Sequence, residues 1–552
     1  MDILNNLGEG FSVALDPTNL LFVLIGVVVG TAIGVLPGLG PTATIALLLP
    51  ITYTMDPTAS IIMLAGIYYG SMYGGTITSV LLRLPGEAAS VVTTFDGYQM
   101  TKKGRAGAAL GISAIGSFIG GTIAVIGLTF LAPMLGKVAL SMGPAGFVAL
   151  MVLGLFLVTS LGTGSAIKSM CMAAVGLLLS TVGQDPVNGS ARFTFGQAPL
   201  LGGLDFVAVA MGLFGVAELL RSLEQTEKAQ IIKTKIKNIW PSRKDMKDSA
   251  GAIGRGSVLG FFIGILPGGG GVISSLASYA LEKRRAKDPS RFGKGAIEGV
   301  AGPETANNAS STTAFIPLLV LGIPSNVVLA MIFGALLMHG ITPGPQLMTD
   351  HSGLFWGVIA SMYIGNLMLL ILNIPLVGIF IQMLRVRQGI LVAFSLLIVL
   401  IGVYSINNTS FDMWVVLAFG VLGWIMSKTG FDAGPLVLAF VLGPILEKSF
   451  RQSMLISGGS LDIFVTDPAA AIIFSLILAV IGFKAISGFR RRFAGAKASP
   501  ETLETPVAEE SGLQKTQMTD GDVPSVLLHA SSTPGEEQPA QPGGRQHSPT
   551  SH

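Results

Sequence analysis

The sequence predicts an all-α polytopic membrane protein, built as an inverted-topology repeat with two broken-helix hairpins and about 11–12 crossings of the bilayer. Half of the 552 residues are apolar and 12% are charged, whereas soluble proteins carry about 25% charged residues. Many of the charges lie in three segments, 221–255, 282–294 and the part after 484. The long stretches between them hold almost no charge, as membrane-spanning helices require.

Composition also excludes several classes of protein. The net charge of +3 is too small and too scattered for a nucleic-acid-binding groove. Cys171 is the single cysteine, so a disulfide framework and a thiolate metal cluster are excluded. The N-terminus lacks the basic region of a signal peptide. Glycine, with 72 residues, is about twice as frequent as usual, and in an apolar chain it permits close helix packing and broken helices.

Apolar and polar stretches divide the chain into six parts. The tail is rich in Ser, Thr, Pro, Glu and Gln, a composition that predicts disorder. The parts are an N-terminal segment (1–19), a first transmembrane repeat (20–220), a basic linker (221–252), a second transmembrane repeat (253–450), an extra span with a basic end (451–497) and the tail (498–552).

The two transmembrane parts repeat each other. Residues 26–38 read GVVVGTAIGVLPG and residues 256–268 read GSVLGFFIGILPG, with eight of thirteen positions identical. Further along, LRLPGEAAS (82–90) has the counterpart LGIPSNVV (321–328). Shared glycines alone could reflect composition, but a full Gly-x-x-x-Gly-x-x-x-Gly-x-Leu-Pro-Gly string followed in order by a second match indicates an internal repeat.

The charges indicate that the repeats are inverted, because loops rich in Lys and Arg stay in the cytoplasm. Lys102, Lys103 and Arg105 precede the span at 107, and the matching segment 349–352 has no basic residue. Six basic residues occur in 283–294, and the matching segment 51–57 has none. Equivalent loops therefore lie on opposite sides, with the N-terminus outside and both the linker and the basic C-terminal end inside.

Each repeat contains one break in an apolar stretch. The first break is Leu36–Pro41 (LPGLGP) and the second break is Leu266–Gly271 (LPGGGG). Proline removes a helix hydrogen bond and glycine lets the backbone reverse, so the chain would turn inside the bilayer. Paired breaks in inverted halves are typical of secondary transporters. A hairpin turn at the membrane surface is the alternative, which a single Pro-Gly would favour and a matched pair disfavours.

The breaks offer groups that bind carboxylates and cations. Free N–H groups at the start of a half-helix attract carboxylates, and free carbonyls at the end of one attract Na⁺. Hydroxyl groups just beyond the breaks could add ligands. The candidate substrate-binding residues here are Gly38, Gly40, Thr42, Gly268, Gly270 and Ser274.

Polar residues interrupt two further apolar regions, 68–79 and 302–313. Such side chains are costly when they face lipid and normally face a cavity or the interior of a bundle. Their many neutral oxygens and few titratable groups favour Na⁺ over H⁺ as a coupling ion, with Glu304 as the main exception. An exposed loop with an ordinary helix cap is the alternative for 302–308. The candidate ion-binding residues are Ser71, Thr76, Asn307, Asn308 and Ser310.

A third matched pair, 85–88 and 323–326, breaks an apolar run soon after each polar stretch. Gly86, Ser325 and Asn326 are candidate substrate-binding residues. Glu87 and Arg83 are candidate proton or charge sites together with Glu304. An ion pair between Arg83 and Glu87 at the cytoplasmic edge is as plausible as a role for Arg83 in carboxylate binding.

At these residues the chain resembles the large membrane subunit of the bacterial tripartite tricarboxylate transporter family. The resemblance covers roughly 10–490, and its motifs include GVLPGLGPTATIALLLP (34–50), GILPGGGG (264–271) and GPETANNASSTTAFIPLLVLGIPSN (302–326). It implies uptake of a carboxylate across the inner membrane, driven by an ion gradient, with the outside being the periplasm. It also implies a small membrane subunit and a periplasmic solute-binding protein as partners. Citrate itself is not implied, because the family transports diverse carboxylates.

Two other functions remain compatible with the composition. One is a passive channel or pore subunit for small anions, and the other is a membrane scaffold that does not transport. Matched polar breaks favour a transporter over a scaffold, and accumulation against a gradient would separate a transporter from a channel. We expect no enzyme activity, no nucleic-acid partner, no cofactor and no transition metal; the expected ligands are the carboxylate and a coupling cation, Na⁺ ahead of H⁺. An oligomer is compatible with the sequence.

Overall fold

The computed structural model describes residues 2–36, 40–161, 165–224, 239–383 and 388–495. These residues are almost wholly helical. The strands among them are β1 (Gly183–Gln184) and β2 (Ala191–Arg192), which pair antiparallel. One compact unit is formed by Met1–Lys484, and the described part of the second unit, Ala485–His552, is the end of the last helix. The all-α prediction is confirmed.

The first half begins its helices at proline-containing caps. Asp16 and Asp56 each accept backbone N–H hydrogen bonds at a helix start, and each is followed by proline, which fits the first position of a helix. A π-helical turn, Met211–Val216, joins the last two helices into one. The helices are α1 (Asp2–Ala14), α2 (Pro17–Val35), α3 (Pro41–Tyr53), α4 (Pro57–Leu82), α5 (Thr93–Lys102), α6 (Ala106–Leu140), α7 (Pro144–Leu161), α8 (Ala166–Ser180), α9 (Phe206–Ala210) and α10 (Ala217–Glu224).

The second half starts inside the predicted linker. Its first helix begins at Arg243, ten residues before the predicted repeat at 253, because Ser242 and Asp245 form a reciprocal capping box. The helices are α11 (Arg243–Ile265), α12 (Gly270–Arg285), α13 (Glu298–Thr313), α14 (Val327–Met338), α15 (Leu347–Asp350), α16 (Ser352–Asn373), α17 (Val377–Met383), α18 (Gln388–Asn407), α19 (Ser410–Thr429), α20 (Ala433–Ile456), α21 (Ile463–Thr466) and α22 (Pro468–Gly495).

Six helical segments in the described part of the chain are long and apolar enough to cross a membrane. Shorter apolar helices accompany them, including α3, α8 and α14. Large apolar side chains are exposed along several of these helices, such as Phe262 on α11 and Trp414 on α19, as expected where a helix faces lipid. The polytopic membrane class is therefore confirmed.

Two helices, α4 and α13, lie at the centre of the protein. Every residue from Ala59 to Leu81 on α4 is buried, and so is every residue from Gly299 to Thr313 on α13. A helix that is buried on all sides faces protein rather than lipid. This explains why the polar stretches 68–79 and 302–313 can be helical at membrane depth, and it excludes the exposed-loop alternative for 302–308.

The glycine strings pack equivalently in the two halves. Gly26, Gly30 and Gly34 place α2 directly on α4, and Gly256, Gly260 and Gly264 place α11 directly on α13. A Cβ atom at any of these six positions would overlap a backbone carbonyl of the facing helix. The carbonyls belong to Met63, Ile67 and Ser71 in the first half and to Gly302, Ala306 and Ser310 in the second. The internal repeat is thus visible in packing, while the opposite orientation of the halves stays a prediction.

The third matched pair forms two segments that turn back toward the centre. After α4 the chain reverses at Arg83, which has a left-handed φ of 61°. After a π-helical turn, Pro317–Leu321, it reverses at Gly322, with φ of 70°. We call residues 83–92 and 322–326 the re-entrant segments. The first returns beside the end of α2, and the second returns beside the second break.

Candidate functional site

The second break joins α11 to α12 through a left-handed glycine. Gly268 has φ of 78°, and its N–H donates to the carbonyl of Ser325 at 2.8 Å. A Cβ on Gly268 would lie 3.0 Å from the backbone of Val158 on α7. The break is therefore held between the second re-entrant segment and α7. Gly270, at the start of α12, has φ of 42° with open space around its Cα.

The first break joins α2 to α3. Its residues 37–39, which include the predicted site residue Gly38, lie outside the described part of the chain. Gly40 caps α3 in an extended conformation, and Thr42 is half-buried in its first turn. Gly86 of the first re-entrant segment lies against the end of α2. A Cβ atom on Gly86 would overlap the Gly34 carbonyl and would lie 2.7 Å from the Cα of Gly75. The first re-entrant segment therefore meets the end of α2, and the second re-entrant segment meets the second break.

Ser325 and Asn326 have structural hydrogen bonds beside the second break. The Ser325 hydroxyl donates to the carbonyl of Ala314 at 3.2 Å. The Asn326 side chain caps α14 by accepting from Leu329 N–H at 3.0 Å, and its amide donates to the Tyr68 hydroxyl at 2.9 Å. This last bond connects the second re-entrant segment to α4, so the two halves are joined at the site.

One face of α13 carries Glu304 and Asn308. The Glu304 carboxylate accepts from the Thr76 hydroxyl at 2.6 Å and from the Thr93 hydroxyl. The Asn308 amide donates to the Ser117 hydroxyl of α6 at 2.7 Å. Glu304 is 1% exposed. This face therefore joins α4, α5 and α6 around a buried carboxyl group.

The neighbouring face of α13 carries Asn307 and Ser310. The Asn307 amide donates to Glu87 at 3.0 Å, and the Ser310 hydroxyl accepts from Ser274 of α12 at 2.8 Å. The Asn307 Oδ1 atom lies beside Gly271, where a Cβ would overlap it. Glu87, Asn307 and the first turn of α12 thus converge at the second break.

The predicted ion-binding residues consequently form more than one group. Thr76 and Asn308 belong to the Glu304 face, and Asn307 and Ser310 belong to the second-break face. Ser71 bonds only within α4, where its hydroxyl donates to the carbonyl of Tyr68 at 2.7 Å. Residues three or four apart on a helix are neighbours, whereas adjacent residues do not face the same way. Asn308 therefore lies beside Glu304, Ser310 lies beside Asn307, and the adjacent Asn307 and Asn308 meet different parts of the protein.

Several buried oxygens at the site are available to a ligand. Within the described residues, Asn307 Oδ1 and Asn308 Oδ1 accept no hydrogen bond. In the same part of the chain, Glu87 and Glu304 form no ion pair with Lys or Arg. A buried charge is costly without a partner, so a bound cation or a proton would compensate the buried Glu304 carboxyl group.

Two arginines, Arg83 and Arg192, lie outside the buried polar centre. Arg83 is exposed and forms no ion pair with Glu87 in the described structure. Arg192, on β2, pairs with Glu447 at 2.7 Å, and Asp185 on the same hairpin pairs with Arg451. The backbone N–H of Val187 and then the Arg451 guanidinium lower the pKa of Asp185 to about 2. These charges hold the hairpin against α20.

Sequence reasoning missed three polar residues that organise the site. Thr93 and Ser117 bond Glu304 and Asn308, as described above. Asp96 of α5 accepts from the N–H groups of Gly293, Gly295 and Ala296 at 2.6–2.9 Å and from the Tyr279 hydroxyl at 2.9 Å. Asp96 could have been noticed as the lone carboxylate in the otherwise uncharged stretch 88–101. Its partners could not have been identified, because they lie far away in the sequence.

Lipid-facing helices, a described broken-helix turn at the second break and a buried polar centre define a polytopic membrane protein of the transporter class. The chain belongs to the tripartite tricarboxylate transporter TctA family, whose model matches residues 20–438.

Two curated proteins of Agrobacterium vitis are similar along most of their own length. The uncharacterized 52.8 kDa protein in the TAR-I ttuC′ 3′ region is 49% identical over 492 residues, which are 89% of this chain and 98% of that protein. The uncharacterized protein in the TAR-II ttuC′ 3′ region is 50% identical over 222 residues, 40% of this chain and 92% of that protein. No solved structure matches the chain.

Proposed function

We propose that this protein is the membrane subunit that imports a carboxylate by symport with Na⁺. The substrate is a tricarboxylate such as citrate, or a related di- or monocarboxylate. A periplasmic solute-binding protein delivers it, and a small integral membrane subunit completes the transporter in the bacterial inner membrane. Family membership supports the transporter subunit and its partners, and the assignments of ion and substrate rest on the site.

The observation that carries the proposal is the convergence of both halves on α13. The second break, the first re-entrant segment and α13 meet around Asn307, where a buried amide oxygen without a hydrogen bond lies beside the first turn of α12. Neutral oxygens suit a hard cation. The N–H groups that begin α12 suit a carboxylate, so ion and substrate would bind side by side.

Transport itself is tested in proteoliposomes that contain this protein and the small subunit. With the cognate binding protein outside and an inward Na⁺ gradient, we expect saturable accumulation of a labelled carboxylate above its external concentration. A panel of tri-, di- and monocarboxylates identifies the substrate. Flux that only equilibrates would indicate a channel, and an absence of flux with both partners present would indicate a scaffold.

Ion coupling gives a sharper prediction for Asn307. Replacing Asn307 by Ala should raise the Na⁺ concentration for half-maximal uptake by about tenfold, because one cation ligand is lost. Apparent substrate affinity should fall with it, since linked sites affect each other reciprocally. The matched control is Asn373→Ala, which removes another buried amide with an unbonded Oδ1, on α16.

Equal Na⁺ dependence in the Asn307 and Asn373 variants would contradict the assignment. Uptake that ignores Na⁺ and collapses with the proton gradient would instead identify H⁺ as the coupling ion. In that case Glu304→Gln should be the variant that loses coupling.

The inverted orientation is tested by labelling. We propose that the N-terminus is periplasmic and the C-terminus cytoplasmic. A cysteine at Asp56 or Thr349 should then react with an impermeant thiol reagent added to the periplasm, and a cysteine at Lys103 or Lys287 should not. Labelling of the Asp56 and Lys287 positions from the same side would refute the inverted repeat.

A further inference from the structure

A basic pocket of about 740 Å³ opens at the end of the molecule opposite the 51–57 turn in the proposed topology. Three separate parts of the chain build it: the turn before α6, the first turns of α11, and the loop between α12 and α13. Its basic side chains are Lys103, Arg105, Lys244, Arg291 and Lys294. The transport site does not use any of them.

Positive charge is in excess inside this basic pocket. Arg105 pairs with Asp245 at 2.5 Å, and Arg291 pairs with Glu298 at 2.6 Å. Lys103 donates to the backbone carbonyl of Lys294 at 2.5 Å, and it has no carboxylate partner in the part of the chain that the structure describes.

Lys244 and the side chain of Lys294 form no ion pair within the described residues, and Asp248 is the one pocket carboxylate there without an ion pair. Three ammonium groups therefore face one free carboxylate, and an anion would balance them.

The surroundings place the pocket at the level of lipid headgroups. Trp240, 68% exposed, stands just before α11, and exposed tryptophan is typical of the membrane–water interface. Its neighbours Ile239 and Pro241 are fixed against Gly111 of α6. From Ala250 to Ile265, α11 carries a single charged residue, Arg255, which pairs with Glu282. This stretch begins about 9 Å from Lys244 at 1.5 Å per residue.

We propose that this basic pocket binds the phosphate group of an anionic phospholipid of the cytoplasmic leaflet. Basic pockets between helices on that side of a membrane are suited to such headgroups. The ligand would contact Lys103 from the first half and both Lys244 and Lys294 from the second half. It would therefore link the two halves. The bound lipid therefore stabilises their arrangement in this structure. This inference is independent of the transported substrate.

The test uses the purified full-length protein in neutral detergent and requires no uptake assay. Short-chain phosphatidylglycerol is titrated while the midpoint of thermal unfolding is followed, with phosphatidylcholine and inorganic phosphate as parallel probes. We expect phosphatidylglycerol to raise the midpoint saturably, because a ligand that binds the folded state stabilises it. Phosphatidylcholine and free phosphate at equal concentration should not.

Variants locate the effect. Lys244→Ala combined with Lys294→Ala should weaken phosphatidylglycerol binding about thirtyfold, or about 2 kcal/mol at 1.4 kcal/mol per tenfold. The matched control combines Lys247→Ala with Lys287→Ala, which removes the same charge from neighbouring exposed positions outside the pocket. Wild-type binding by the first pair of substitutions would overturn the proposal. Equal stabilisation by inorganic phosphate would replace the lipid with a soluble anion and overturn it as well.

Discussion

Replacing Gly268 by valine is expected to lower carboxylate uptake by about a hundredfold or more while the protein remains folded in the membrane. The left-handed φ of 78° at this position is strained for a β-branched residue. A valine would also press on the Val158 backbone and displace the N–H bond to Ser325. The second break would then lose its position relative to Asn307, where ion and substrate are proposed to bind.

The matched control for this variant is Gly340→Val. Gly340 has nearly the same φ, 73°, but open space around it, so the substitution introduces similar backbone strain far from the break. Initial uptake rates, corrected for the amount of protein in the membrane, compare the two. Normal uptake by Gly268→Val would reduce the second break to an ordinary turn.

Replacing Gly260 by valine should destabilise the folded protein, whereas Gly268→Val should impair only transport. A Cβ at this position already overlaps the Ala306 carbonyl and lies 2.8 Å from the Ala306 Cα. Backbone on a buried central helix cannot move aside cheaply, so we expect the free energy of unfolding to fall by about 3 kcal/mol or more. The midpoint of thermal unfolding in detergent and the yield of monodisperse protein measure the effect.

Gly254, on the same helix, provides the comparison. Its Cα faces open space, so Gly254→Val should leave the unfolding midpoint nearly unchanged. The same experiment on the first half, Gly30→Val, should reproduce the Gly260 result, because a Cβ there meets Ile67 of α4 in the equivalent way. A stable Gly260→Val protein would disprove the close contact between α11 and α13.

Much of the fold could be predicted because apolar length, paired breaks and glycine spacing are local signals. The pattern at Gly256, Gly260 and Gly264 indicates a helix face that packs closely against another helix. The structure identifies that helix as α13. The polar stretch 302–313 predicts a protein-facing segment for the same reason: its side chains are too polar for lipid.

The contacts within the site could not be predicted in the same way. Thr93 bonds Glu304 across 211 positions, and Asn308 bonds Ser117 across 191, and no periodicity connects residues so far apart. The division of the ion-binding candidates was partly accessible, since Asn307 and Asn308 are adjacent on α13 and adjacent residues of a helix do not face the same way. Which neighbouring helix meets each face depended on the three-dimensional packing.

The complete burial of α13 has a consequence for biosynthesis. With Glu304, two asparagines and several hydroxyl residues, this helix is too polar to leave the translocon for lipid on its own composition. The helices that enclose it, α4, α6, α11 and α12, all precede it in the chain. When the ribosome reaches residue 298, the helices that enclose α13 have already been synthesised. The order of synthesis can therefore provide the protein environment that α13 needs and the bilayer does not offer.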